Sequence, residues 1–182
     1  MNIIQSPSPN FSGRAGHKPE LIVVHCTEGN WASDMGWLRN PASQVSSHYI
    51  ISPAGEVHQL VSETDSAWHS GRIDKPTANL KKKPDGSFIN PNWYSIGIEV
   101  SLRPPAGMPD VQKTALKELI KLIAEKYNIA IDRSTIVGHK EIYSLKSCPG
   151  TINIDALVAE MDQPGSNEEI KSQIIELVKK IK

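Results

Sequence analysis

The run Leu21-Ile22-Val23-Val24-His25-Cys26 constrains this chain more than any other segment. Its consecutive apolar, mostly β-branched residues cannot alternate between core and solvent, so a strand built from them is covered on both faces. Such a strand calls for a layer above and a layer below, and helices are the usual cover. Ser95-Ile96-Gly97-Ile98-Glu99-Val100 reads as another strand, and Thr135-Ile136-Val137-Gly138-His139 reads as a last short strand. Ser47 to Ser52 and Glu56 to Val61 flank Pro53-Ala54-Gly55 and form a hairpin pattern. The clearest helix runs from Val111 to Tyr127, with Val111, Ala115, Leu119, Ile120, Ile123 and Tyr127 at helical spacing and Asp110 as the candidate N-cap. Shorter helices are expected over 31–39 and 152–161. The pattern implies strands and helices together in a single domain.

The segments between are less regular. Residues 1–20 are rich in Pro, Ser and Gly and read as an extended lead-in. Residues 62–92 form a long polar stretch, with a lysine run at 81–83 that reads as a solvated loop. After a break at Gln163-Pro164-Gly165, Glu168 to Ile181 has the pattern of an amphipathic helix. The expected division is a folded unit at 1–162 and a helical tail at 163–182. Lys+Arg 20 balances Asp+Glu 20, which leaves no global field to draw the chain onto nucleic acid. No segment approaches the roughly twenty apolar residues of a membrane span, so no membrane insertion is expected. The first residues lack the basic and apolar regions of a signal peptide, which implies synthesis in the cytoplasm. Nothing in the pattern speaks to oligomeric state.

Three residues carry metal chemistry. His25 and His139 each end an apolar strand, and Cys148 lies nine residues after His139 in a loop closed by Pro149-Gly150. Two imidazoles and one thiolate make a tetrahedral zinc site with one open position, the mark of a catalytic centre. Unrelated surface histidines would give the same spacing. Glu99, inside an otherwise apolar strand, is either an ion-pair partner or a general base. Lys146 is either a solvated loop lysine or a cation stabilising an oxyanion. Trp68 and His69 belong to a substrate surface or pin the loop to the core, and Trp93 is a further candidate groove residue. His48 and Tyr49, adjacent on one strand, face opposite ways. Cys26 points away from His25 for the same reason and reads as a small buried hydrophobe.

These blocks, in this order, resemble the type 2 N-acetylmuramoyl-L-alanine amidases, a family that includes phage endolysins, bacterial cell-wall amidases and peptidoglycan recognition proteins. Val23-Val24-His25-Cys26-Thr27, Ser47-His48-Tyr49-Ile50-Ile51 with Gly55, and Ala67-Trp68-His69-Ser70-Gly71 carry the first half of the resemblance. Asn92 with Ser95 to Glu99, Gly138 to Ile142, and Lys146-Ser147-Cys148-Pro149-Gly150 carry the second. The resemblance implies an α/β fold, a mixed central β-sheet flanked by helices in a single domain, and zinc held by His25, His139 and Cys148, with Glu99 and Lys146 as catalytic residues. His48, Trp68, His69 and Trp93 would bind substrate. The tyrosine that some members use catalytically is not carried over, because Ser47 stands in its place. The implied reaction cuts the amide between N-acetylmuramic acid and the first L-alanine of peptidoglycan. A phage or prophage endolysin, reaching the wall at host lysis, is the favoured role. A non-catalytic wall-binding module and a cytoplasmic muropeptide-recycling amidase are the alternatives.

Overall fold

Leu21–Cys26 forms the expected strand, β3, and every one of its residues is buried. It lies inside a six-stranded sheet in the computed structural model, which describes residues 1–162. Before it come β1 (Ile3–Gln5) and β2 (Phe11–Gly13). After it come α1 (Trp31–Leu38), β4 (Tyr49–Ile51), β5 (Val57–Gln59) and β6 (Asp65–Ala67). Then follow α2 (Pro91–Tyr94), β7 (Ser95–Val100), α3 (Asp110–Tyr127), β8 (Ile136–Gly138) and α4 (Ile154–Asp162). The main sheet runs β1-β5-β4-β7-β3-β8. Strands β4, β7, β3 and β8 are parallel, while β5 is antiparallel to β4 and parallel to β1. The expected mixed sheet is therefore present. The expected terminal helix over 168–181 falls outside the described residues.

Strand alternation sorts the core into two layers. One face carries Ile22, Val24, Ile96, Ile98 and Ile136, packed with Leu116, Leu119, Ile120 and Ile123 of α3 and Leu157 and Val158 of α4. Cys26 belongs to this face, as alternation requires. The opposite face carries Leu21 and Val23 over Tyr94 and Ile142, and Ile50 packed with Leu38 of α1. It also carries Ser95, Gly97 and Glu99, the alternate residues of β7.

Several sequence expectations need correction. The lead-in is not structureless: β1 extends the main sheet beside β5, and β2 pairs with β6 in a second, two-stranded sheet. β6 and α2 likewise give form to the stretch 62–92. Asp110 does not cap α3; Pro109 occupies that position without a side-chain bond. Val111 is 50% exposed, whereas Gln112 is buried and donates to the carbonyls of Ser52 and Ser101. A short amide with carbonyl partners is satisfied in the core, and Val111 stands one position off the buried stripe.

Candidate active site

In parallel sheets, sites form where strands end at their carboxyl edge. Here β3 ends at His25-Cys26, β8 runs into His139, and β7 carries Glu99 in register with His25. The loop after His139 brings Cys148 back over β3. Its sulfur receives the Cys26 backbone N–H at 3.3 Å and lies 3.6 Å from His25 Nδ1. The Lys140 N–H also closes on the Cys148 carbonyl at 2.8 Å. Gly138 is required by this return, since a Cβ there would sit 2.6 Å from Pro149.

One donor atom each from His25, His139 and Cys148 lies within 4.8 Å of the others. Burial, reinforced by the neighbouring His139 and Lys146, holds His25 far below its usual pKa. Burial, then Lys146, lowers His139 to about 4. Both rings are thus neutral at physiological pH, the form that binds a metal. The neighbouring Cys26 and burial push the Cys148 thiol up. A bound dication reverses that preference, because a coordinating thiol is deprotonated outright. Glu99 completes the setting: its Oε1 is 4.0 Å from His25 Nδ1, and its buried Oε2 has no hydrogen-bond partner. A buried carboxylate oxygen without a partner is costly unless something beyond the side chains occupies the space it faces. The donor set and this orphaned oxygen fit a zinc ion with a water or substrate beside it.

These residues line a cleft of about 530 Å³ that also includes Lys146, Trp37, Leu38 and Trp68. Lys146 is exposed at its rim. Burial first, then Cys26 and Asp34, raise Glu99 to about 8, with Lys146 opposing. Asp34 is itself anchored, accepting from Thr27 and Ser101.

The four expected substrate contacts separate. Trp68 lines the cleft, and its Nε1 donates to Ser12. Trp93 does not; it stacks on His17 at 5.9 Å. His69 lines the cleft but is only 8% exposed, with its ring behind His25 and 3.1 Å from His25 Nε2. His48 is fully buried: its Nδ1 accepts from the Gly97 N–H, and its Nε2 lies between Asp65 O and Arg14. His48 and Trp93 therefore build the framework and touch no cleft. Tyr49 faces away, donating to Glu63. Trp37, on α1, was missed by sequence reasoning; it is 59% exposed at the cleft wall. Arg14 was missed too. It is buried and donates to the carbonyls of Glu63, Trp93 and Ser95.

His48 supplies a pH prediction. Burial, then the Arg14 charge, lowers its pKa to about 3, against about 6.5 in an unfolded chain. Between those values the unfolded state binds a proton that the folded state does not. The contribution is therefore full above pH ~6.5 and is lost as pH falls toward ~3, at up to about 1.4 kcal/mol per pH unit. In urea unfolding of the metal-free protein, wild type should lose about 1 kcal/mol more than His48→Gln between pH 6 and pH 5. Equal slopes would show that His48 is not held neutral.

Comparison with known proteins agrees with this geometry. The family model described as N-acetylmuramoyl-L-alanine amidase (Amidase_2) matches residues 15–151. N-acetylmuramoyl-L-alanine amidase A of Achromobacter lyticus is 33% identical over 93 residues, 50% of this chain and 42% of the relative. The 1,6-anhydro-N-acetylmuramyl-L-alanine amidase AmpD of Haemophilus influenzae is 31% identical over 99 residues, 54% of this chain and 48% of the relative. The matches thus span less than half the length of these curated relatives. Among solved structures, a mutant endolysin from Bacillus subtilis superposes with a TM-score of 0.67 at 27% identity, covering 88% of this chain and 99% of that one. With the family model covering β3 through the Cys148 loop, the chain belongs to the N-acetylmuramoyl-L-alanine amidase (Amidase_2) family.

Proposed function

We propose that this chain is a zinc-dependent amidase acting on peptidoglycan, cutting between N-acetylmuramic acid and the first L-alanine of the stem. The observation that carries the reading is the convergence of His25, His139 and Cys148 beside the unpartnered Glu99 Oε2. When bound, zinc would supply a Lewis acid and make water acidic enough to react near neutrality. The remaining work falls to the chain. Glu99 takes the proton of the attacking water and returns it to the leaving nitrogen; burial raises its carboxyl to about 8 in the metal-free site, and a bound dication beside it would favour the ionised form that serves as the base. Lys146, at the rim, places a positive charge where the carbonyl oxygen becomes negative.

Trp37 and Trp68 give the cleft an aromatic wall next to the reactive floor. Aromatic stacking on a sugar face contributes about 1 kcal/mol. Trp37→Ala should therefore raise KM about five-fold with kcat nearly unchanged, as measured in steady-state kinetics. A fall confined to kcat would remove Trp37 from substrate binding.

The assay for the function is digestion of purified wall. Release of new amino groups without new reducing sugars is the expected result. Retention of wall by a zinc-loaded protein that releases nothing would make the chain a binding module. We favour an endolysin role, supported by the likeness to the Bacillus subtilis endolysin over nearly all of that chain. The likeness to AmpD supports small anhydro-muropeptides as an alternative substrate. Turnover of intact sacculi, compared with that of soluble muropeptides, decides between them.

A further inference from the structure

His69 looks from the sequence like a substrate contact, yet the fold buries its ring against the back of a metal ligand. We propose that His69, held by Ser95, is a positioning residue that fixes His25 in the tautomer whose Nδ1 lone pair faces the metal. The inference rests on the zinc reading of the site.

The direction of each hydrogen bond can be followed from one end. The Ser95 hydroxyl donates to the Pro91 carbonyl at 2.7 Å, so its oxygen receives from its other neighbour, His69 Nε2, at 3.1 Å. His69 then carries its proton on Nε2, and Nδ1 is left as an acceptor. That nitrogen lies 3.1 Å from His25 Nε2, which must be the donor. Ser70 Oγ lies 3.0 Å from the same His69 nitrogen and carries a hydroxyl that can share that nitrogen's lone pair with His25, which agrees with an unprotonated Nδ1. His25 is left with a bare Nδ1, the atom 3.6 Å from Cys148 Sγ. A neutral imidazole has one proton to place, and the bonds running from Ser95 through His69 fix which nitrogen carries it. The His25 and His69 rings meet edge to face, 5.2 Å apart at 89°.

The surroundings hold His69 where this requires. Its ring lies on β7 at Gly97, where a Cβ would come within 2.5 Å of Cγ. Glycine is thus the residue that lets an imidazole rest on the strand between Ser95 and Glu99. Asn92 Oδ1 accepts from the backbone N–H groups of His69 and Ser70, at 3.3 and 2.7 Å, and fixes the loop. A ligand's outer partner sets its tautomer and basicity, and losing it costs roughly 10–100-fold in metal affinity.

The test combines zinc affinity with tautomer assignment. Zinc is titrated against a chromophoric chelator in wild type, His69→Ala, His69→Asn and His69→Gln. An Asn Oδ1 falls near the position of Nδ1 and can accept from His25, whereas a Gln amide reaches toward Nε2 and Ser95. His69→Ala and His69→Gln should weaken zinc binding about 10–100-fold, and His69→Asn should recover most of the loss. Equal affinity in His69→Ala and wild type, or equal loss in the Asn and Gln variants, overturns the proposal. If the variants fold poorly, long-range 1H–15N spectra of metal-free wild type decide instead. Protons on Nε2 of both His25 and His69 are expected; a proton on His25 Nδ1 overturns the assignment. A wild type that binds no zinc but shows these tautomers would sink the zinc reading and leave the hydrogen-bond order standing.

Discussion

Glu99→Gln is expected to lower kcat/KM by about 10²–10⁴-fold, the range for removing a general base, with zinc content unchanged. The amide keeps the size of the side chain and its place opposite His25 on β7. What it loses is the capacity to take and return a proton. Glu99 lies outside the group of converging donor atoms, so metal content should not follow activity. Its side chain is 15% exposed, and Oε2 has no partner to lose. The folded protein should therefore be at least as stable as wild type, since a buried carboxyl without a partner is itself unfavourable. Rate, metal content and melting temperature measured on one preparation check all three. Retained activity would mean that another group accepts the proton. Lost zinc would make Glu99 a ligand.

Cys148→Ser is expected to weaken zinc binding by more than about 100-fold, beyond the cost of losing an outer partner, and to abolish amide hydrolysis with it. The hydroxyl is a poor thiolate substitute and sits farther from the two imidazoles. The backbone around it should stay in place, because the Lys140–Cys148 bond runs through the main chain. Cys26→Ala is the matched control. Cys26 faces the α3 side of the sheet, and its contact to the Cys148 sulfur includes its backbone N–H, which alanine keeps. Zinc in the Cys26 variant should therefore remain stoichiometric by metal analysis. Loss from both variants alike would point to general damage of the loop.

The readable parts of this chain were those whose own residues decide their environment. Leu21–Cys26 declares a buried strand through five apolar positions, Ser95–Val100 a strand through β-branched residues at every second position, and α3 a helix through its spacing. The two histidines of the candidate metal site were readable because each stands at the end of such an element, and Cys148 because of the Lys146-to-Gly150 loop motif it belongs to. β1 and β2, three residues each, are too short to show a period and exist because β5 and β6 pair with them. The fate of Arg14 depends on carbonyls at Glu63, Trp93 and Ser95, remote in sequence. Alternation set His48 and Tyr49 on opposite faces but could not tell which of them faces the site or how deep along the strand it lies. Trp93 was placed in the groove by proximity to Glu99, whereas α2 turns it toward His17. His69 was legible as part of the site through its motif, but the seat of its ring behind His25 depends on Gly97 of β7, remote in sequence.

The strand order has a consequence for the chain as a pair of pieces. In β1-β5-β4-β7-β3-β8, the strands before the turn at Lys83–Gly86 and those after it are interleaved. β7 fits between β4 and β3, and β3 between β7 and β8. A cut in that turn would give one fragment with His25 and His69, and another with Glu99, His139 and Cys148. Neither could hold the metal alone, and each would leave open strand edges that only the other fills. Two separately expressed halves should thus regain zinc and hydrolysis only on mixing, which makes the sheet a natural frame for a split enzyme.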